Sequence, residues 1–409
     1  MPVRRLVGRA APLASALVLL LAGLAGASND PLFPRQWNLA QIGAPQAWAK
    51  ATGRGVLIGV VDTGIDLTHP DLAAKVAASA DCVGGTCRDG GGQDDNGHGT
   101  EVGGIAAAVT GNGRGVAAVA PDARLLVAKS LDGSGAGRVD DIIAGIRWVV
   151  DHGAKVVNLS LGDEDFQLTS VVGTPLRPGI EYAWTRGAVP VLASGNYRMG
   201  LVETGSSNYG DMDALVVGAT TRSNTLAAYS TSIGNAKWGL AAPGGSGVGG
   251  ADDQIITTGL GSRYAAVAGT SAAAPHVSGA VADLLSMGLS ATAAVQRVLA
   301  TLNTGVSCGN GCRGRLDLAA AVAAGPPPPT TSPSAGHPPT TAKANPGATG
   351  PTTTASPLVS ARHKEAASDS GPHGGDRSAV LVLAGALVVA AAAATGVVGY
   401  TNLRDGEGW

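Results

Sequence analysis

Three polar residues, each set among glycines, could together perform acyl transfer. They are Asp62 in Val60-Val61-Asp62-Thr63-Gly64, His98 in Asn96-Gly97-His98-Gly99-Thr100, and Ser271 in Gly269-Thr270-Ser271-Ala272. A serine hydroxyl is a poor nucleophile at neutral pH until an imidazole takes its proton, and the imidazole needs a carboxylate to hold one tautomer. Each residue alone has a plainer reading. The aspartate could cap a helix or turn, the histidine could be structural in its glycine-rich turn, and a serine at a helix start is usually an N-cap. The order Asp, His, Ser is, however, one of the known chain orders of such a triad.

Residues so far apart in sequence need a scaffold to bring them together. Gly55–Val61 is a continuous apolar, β-branched run that ends at Asp62, as a parallel strand buried on both faces reads. Leu125–Ala128, Val156–Leu159, Val189–Leu192 and Leu215–Ala219 read as further buried strands. Ile142, Ile143, Ile146, Val149 and Val150 recur at helical spacing, with Gly153 where the C-terminal cap should fall. A helical run of small residues is expected over Glu101–Val109, and an apolar helix from Ser271 to about Met287, with Pro275 in its first turn. Strands alternating with helices predict an α/β fold with a doubly wound parallel sheet, in which reactive groups collect at the carboxyl ends of the strands.

Composition narrows the function. The 409 residues are 44% hydrophobic and 14% charged, which excludes a wholly disordered chain or a coiled coil. A formal charge of -2 lacks the basic footprint that phosphate backbones demand, so no nucleic acid partner is expected. With 62 glycines and only 3% aromatic residues, the chain should be rich in tight turns.

The two ends read differently from the middle. Arg4, Arg5 and Arg9 precede an apolar run from Ala10 to Ala25, and Ala25-Gly26-Ala27 offers a cleavage site, so residues 1–27 read as a signal peptide. The folded domain is expected over 28–325. In an exported protein the four cysteines suggest disulfides, and their spacing favours the local pairs Cys82 with Cys87 and Cys308 with Cys312 among three pairings. Residues 326–378 are rich in Pro, Thr and Ser and open on four prolines. They cannot bury enough apolar surface to offset their ordering entropy and read as a semi-rigid linker. Ala379–Tyr400 is free of charge and long enough, at about 1.5 Å per residue, to cross a bilayer core of about 30 Å. It reads as one C-terminal transmembrane helix, followed by a short cytoplasmic tail over 401–409. The domain is therefore expected outside the cell, on a single-pass membrane anchor.

The strings VVDTGID, NGHGTEVGGIAAA and GTSAAAPHVSGA resemble the three active-site signatures of the subtilisin-like serine proteases. GAPQAW, DTGIDLTHPDLAAKV, DHGAKVVNLSLG and YAWTRGAVPVLASGN are similar, in order, to the thermitase branch of that family. The resemblance runs from Asn29 to about Gly325. It implies a subtilisin-like three-layer fold with a mostly parallel central sheet, and serine endopeptidase activity through an acyl-enzyme intermediate. Ser271 then matches the nucleophile, His98 the general base, Asp62 its orienting carboxylate and Asn196 the side-chain oxyanion donor. Gly133-Ser134-Gly135 and Ser160-Leu161-Gly162 match the edges that sandwich an extended polypeptide substrate, and Ala193-Ser194-Gly195 helps line the first specificity pocket.

The resemblance also implies a structural calcium ion, with no organic cofactor. Its ligands would be Asp30, Asp71, the Asn112 side chain and the carbonyls of Val109, Arg114 and Val116, an all-oxygen shell suited to a hard cation. A second site is not matched, because Cys82–Cys87 with Asp89, Asp94 and Asp95 replaces the usual ligand spacing. Four departures stand out. Glu101 is acidic three residues after His98, Ala272 replaces a methionine, Gly137 replaces an aromatic residue, and Asn208-Tyr209-Gly210 lacks a proline. The short stretch from Ser28 to Trp37 leads to the expectation of no long prodomain. The plan of signal, protease domain, linker and anchor resembles the mycosins, membrane proteases of type VII secretion. This implies the alternative of a processing protease or scaffold with secretion-system components as partners. An esterase reading lacks its GxSxG elbow around Ser271.

Overall fold

The computed structural model describes residues 28–161, 169–196, 209–309 and 311–325, with backbone alone for 169–174. The segments read as signal peptide, linker, transmembrane helix and tail lie outside the described residues, as do Gly162 and Asn208. Among the described residues, no helix is long and apolar enough to cross a membrane.

The chain begins with α1 (Trp37–Ile42) and α2 (Ala44–Ala47), then β1 (Leu57–Asp62), β2 (Val76–Asp81), β3 (Arg88–Asp89) and α3 (His98–Ala107). Next come β4 (Arg124–Lys129), α4 (Val139–Asp151), β5 (Val156–Leu159), α5 (Thr169–Thr185), β6 (Val189–Ala193), β7 (Leu215–Thr220) and β8 (Trp238–Pro243). The hairpin β9 (Ile255–Gly259) and β10 (Arg263–Val267) leads into α6 (Thr270–Ser286), followed by α7 (Ala291–Ala300) and α8 (Leu318–Ala323). One sheet runs β3-β2-β4-β1-β5-β6-β7-β8. All its pairings are parallel except that of the two-residue edge strand β3 with β2.

Both faces of the sheet are covered, which is why the strands read as unbroken apolar runs. On one face Val60, Val127, Val191 and Val217 pack with Val277 and Val281 of α6. On the other, Val61, Ala128, Val157 and Leu192 pack with Ile146 and Val149 of α4 and Ile180 of α5. Neighbouring Val60 and Val61 thus serve opposite layers, as the two-residue period of a strand requires.

The five expected strands form within two residues of their expected ends, and α4 ends at Asp151 with Gly153 at φ 98° just beyond. Three corrections follow. The helix expected at Glu101–Val109 is α3, and it starts at His98 itself. Pro275 lies in the second turn of α6, since the helix begins at Thr270. Strands β2 (VAASAD) and β8 (WGLAAP) had no signal, because their alanines and glycine carry little strand preference and pairing with β4 and β7 decides their state. The cysteines pair locally, Cys82 with Cys87 and Cys308 with Cys312, as expected.

One buried group works against the fold. Asp283 of α6 is fully buried, and neither carboxyl oxygen has a hydrogen-bond partner among the described residues. Burial, and secondarily the charge of Asp122, raises its carboxyl well above the ordinary 3.8. The unfolded chain therefore releases a proton that the folded chain keeps, and stability falls as pH rises above 3.8. Asp283→Leu should raise unfolding free energy at neutral pH by about 1–3 kcal/mol, the usual penalty of an unsatisfied buried polar group. It should also flatten this pH dependence. Urea melts of both proteins at pH 5 and pH 8 check both effects.

Candidate active site

Asp62 is the last residue of β1, where the sheet has β4 on one side and β5 on the other. The carboxyl ends of strands at such a switch form the crevice where ligands bind in open α/β sheets. Its side chain is fully buried, and Oδ1 accepts from His98 Nδ1 at 2.7 Å and from the Thr63 N–H at 2.7 Å. With the Nδ1 proton committed to the carboxylate, Nε2 carries the lone pair that could accept a serine proton. A quarter of the His98 side chain remains exposed.

Opposing effects set the proton affinity of this imidazole. Burial lowers it, but the charge and hydrogen bond of Asp62, followed by the charges of Glu101 and Asp94, outweigh burial and raise the pKa to about 9. Glu101 is almost fully buried one turn along α3 and shares a cleft with His98, Val102, Asn196, Val267 and Ser271.

Ser271 is the second residue of α6 and lines the same cleft as Asn196. Asn196 Oδ1 accepts from the Thr270 N–H at 2.9 Å and from Thr270 Oγ1 at 3.1 Å, which leaves its amide N–H₂ turned toward the cleft. A Cβ on Gly269 would lie 3.5 Å from Asn196 Nδ2 and 3.6 Å from the Ser271 nitrogen, so glycine keeps open a space flanked by two donors. Pro275 has no N–H for the carbonyl four residues earlier, which is that of Ser271. Ser160 Oγ donates to that carbonyl instead, at 2.8 Å, and accepts from Asn158 Nδ2 at 2.9 Å. Ser160, expected as a substrate-binding residue, thus pins α6, which carries Ser271, to the end of β5. Sequence reasoning missed this, since nothing local links a serine after a strand to a proline 115 positions later.

The remaining expected substrate-binding residues, apart from Gly162, which lies outside the described residues, fall at the carboxyl end of the sheet. Leu161 follows β5, and Ala193, Ser194 and Gly195 end β6, with the Ser194 carbonyl held by Tyr209 Oη at 2.9 Å. Gly133, Ser134 and Gly135 form an exposed turn after β4, closed by Asp132, whose carboxylate accepts from the Ser134 and Ala136 N–H groups. At Gly137 a Cβ would lie 2.4 Å from Leu131 Cδ2 and 2.6 Å from the Ser130 carbonyl oxygen, so any side chain here requires its neighbours to shift.

Among the described residues, no group of three or more His, Cys, Asp or Glu side chains could hold a metal. The expected calcium set has a different composition, two carboxylates with an amide and carbonyls, and it does converge. Asp30 accepts from the N–H groups of Gly111, Asn112 and Gly113, and Asp71 bonds Asn112 Nδ2, Tyr264 Oη and the Val116 N–H. Burial raises the Asp71 carboxyl despite those three donors. Among the described residues no lysine or arginine pairs with either carboxylate, and no backbone N–H donates to the carbonyls of Val109, Arg114 or Val116. Two buried acids beside unused carbonyls fit a hard cation. Asp89, Asp94 and Asp95 are occupied otherwise, by Trp148 Nε1, by backbone and threonine donors, and by Lys129 Nζ.

A parallel α/β sheet carrying an aspartate, a histidine and a serine at this crevice defines a serine hydrolase of the subtilisin type. The Subtilase family model of peptidase S8 matches residues 53–310, and the chain belongs to that family as a subtilisin-like serine endopeptidase. It is 40% identical to thermitase of Thermoactinomyces vulgaris over 64% of this chain and 87% of the relative. Subtilisin Savinase of Lederbergia lenta is 38% identical over 60% of this chain and 82% of its own. Among solved structures, a protease of Pseudoalteromonas arctica superposes with a TM-score of 0.61 at 28% identity, covering 72% of this chain and 98% of its own.

Glu101→Gln removes a negative charge that favours the imidazolium. The His98 pKa should therefore fall, and the acidic limb of the kcat/KM profile should move to lower pH by about one unit or less. A pH–rate profile of both proteins on one peptide substrate reads the shift, and an unmoved or rising limb would refute it.

Proposed function

We propose that this protein is a secreted, membrane-anchored serine endopeptidase that cleaves extended polypeptides outside the cell, with Ser271 as nucleophile, His98 as general base and Asp62 as its orienting carboxylate. The single observation that carries the reading is the 2.7 Å bond from His98 Nδ1 to buried Asp62, which leaves Nε2 as the acceptor in a cleft shared with Ser271. His98 takes the Ser271 proton as Oγ attacks the scissile carbonyl. The oxyanion develops between Asn196 Nδ2 and the Ser271 N–H, where the positive end of α6 adds a favourable field. His98 then returns the proton to the leaving amine, and water resolves the acyl-enzyme by the same route in reverse. Gly133–Gly135 and Ser160–Gly162 would pair with the substrate backbone as an added strand, with Ala193–Gly195 beside the first side-chain pocket.

The charge-free run Ala379–Tyr400 after a proline-rich linker supports the anchor, and the N-terminal apolar run before Ala25-Gly26-Ala27 supports export. An extracellular domain on a single span follows from the two together.

Asp30, Asp71, Asn112 and the carbonyls of Val109, Arg114 and Val116 would hold calcium. Its positive charge would offset two buried carboxylates and fasten the 109–116 loop to the start of the domain.

A membrane-impermeant fluorophosphonate applied to intact cells tests the proposal. The full-length chain in the washed membranes should be labelled, and Ser271→Ala should abolish the label. No label on correctly folded protein would favour a catalytically idle scaffold, and label confined to the medium would refute the anchor. Asn196→Ala should lower kcat about 10²–10³-fold, or roughly 2.7–4 kcal/mol of transition-state stabilisation.

For calcium, chelation should lower the melting temperature of the purified chain. Calcium at 100 times its Kd stabilises by about 2.7 kcal/mol. Asp71→Asn should melt alike with and without chelator, and an equal response in both proteins would refute the site.

A further inference from the structure

Asp62 and His98 belong to different elements, and the hydrogen bond between them is only as good as the placement of the β1 turn against α3. That placement is made by one buried side chain. Asp94 is 3% exposed. Its Oδ1 accepts from Thr63 Oγ1 at 2.9 Å, the Asn96 N–H at 3.0 Å and the Gly97 N–H at 2.9 Å. Its Oδ2 accepts from the Thr100 N–H at 3.0 Å and Thr100 Oγ1 at 2.6 Å. Thr63 Oγ1 in turn accepts from the Gly99 N–H at 2.9 Å.

The positions of these donors matter more than their number. Thr63 directly follows Asp62 and gives its own N–H to the Asp62 carboxylate. Gly97 and Gly99 are the residues on either side of His98. The network therefore grips the two halves of the Asp62–His98 pair within one residue of each. The N-cap of α3, Gly97, has no side chain to satisfy the first free N–H groups of the helix, and Asp94 does so from outside it. The backbones are also in contact. A Cβ on Gly99 would lie 2.0 Å from the Gly64 carbonyl oxygen, so the turn and the helix have no room to slide past one another while the network holds.

We propose that Asp94 is a positioning residue of the triad, a buried strap that binds the β1 turn to the first turn of α3 and thereby sets the Asp62–His98 hydrogen bond. The proposal rests on the triad reading above. Asp94 touches neither substrate nor reacting atoms and acts through Thr63, Gly97 and Thr100. Charge enters secondarily, because Asp94 also favours the His98 imidazolium.

Two substitutions separate geometry from charge. Asp94→Asn keeps the shape but replaces one acceptor oxygen with a donor, facing groups that themselves donate. Thr63→Val keeps the Asp94 charge and removes only the hydroxyl that bridges Asp94 to Gly99. For each purified full-length chain, active sites are titrated with a fluorophosphonate, kcat and KM are measured per active site, and the low-field Nδ1 proton of His98 is followed by NMR. Asp94→Asn should lower kcat about 10–100-fold with KM changed less than about threefold, since a misplacement of about 1 Å can cost 10²-fold. The low-field resonance should shift or broaden. Thr63→Val should show the same two effects to a smaller degree, and Thr63→Ser should restore both. If Asp94→Asn does not fold, the threonine pair carries the test.

A lower melting temperature with kcat per active site and the Nδ1 resonance unchanged would overturn the proposal, leaving Asp94 with a merely structural role. Failure of the triad reading would look different, because the unaltered chain would then show neither the low-field proton nor probe labelling.

Discussion

A carboxylate placed in full burial at the end of a strand is the constraint on which this molecule turns. Among the described residues no lysine or arginine pairs with Asp62, and only one of its oxygens is hydrogen-bonded, to Thr63 and His98. Such a group is costly unless its surroundings supply donors or positive charge. The His98 imidazolium, which this carboxylate favours by its charge and its hydrogen bond, supplies the missing positive charge. The burial that makes Asp62 costly alone thus strengthens its attraction for the His98 ring.

The sheet topology makes that burial possible. Because β1 lies between β4 and β5, its carboxyl end opens into the crevice, and the ends of β5 and β6 bring Ser160 and Asn196 to the same rim. Helix α6 runs beneath them with Ser271 at its mouth. Its Pro275 would leave the Ser271 carbonyl without a helical partner, and Ser160 takes that place. A local defect in one element becomes a fastening between two, and the Ser271 backbone is fixed from the strand side as well as from the helix. Thr270 and Asn196 fasten the opposite side in the same manner.

Much of this was legible in advance. The strand ending on Asp62, the helix carrying Ile146 and Val149 and the glycine-flanked histidine and serine are local signals, set by period, propensity and turn chemistry. Strands β2 and β8 were not legible, since alanine-rich segments take their state from the neighbours that pair with them. The start of α3 at His98 also escaped, because the group that satisfies its first N–H groups is Asp94, outside the helix.

The sequence by itself determined which chemistry is available: an acid, a base and an alcohol in a workable order, each at the end of a segment that must be strand or helix. Only the tertiary structure decided that buried Asp94, Thr63 and Thr100 form one knot and that Ser160 answers Pro275. It also brought Asp30 and Asp71 to the same loop. Patterning acts over a few residues along the chain, whereas a hydrogen bond depends on distances in space that are set only when the sheet and its helices have packed.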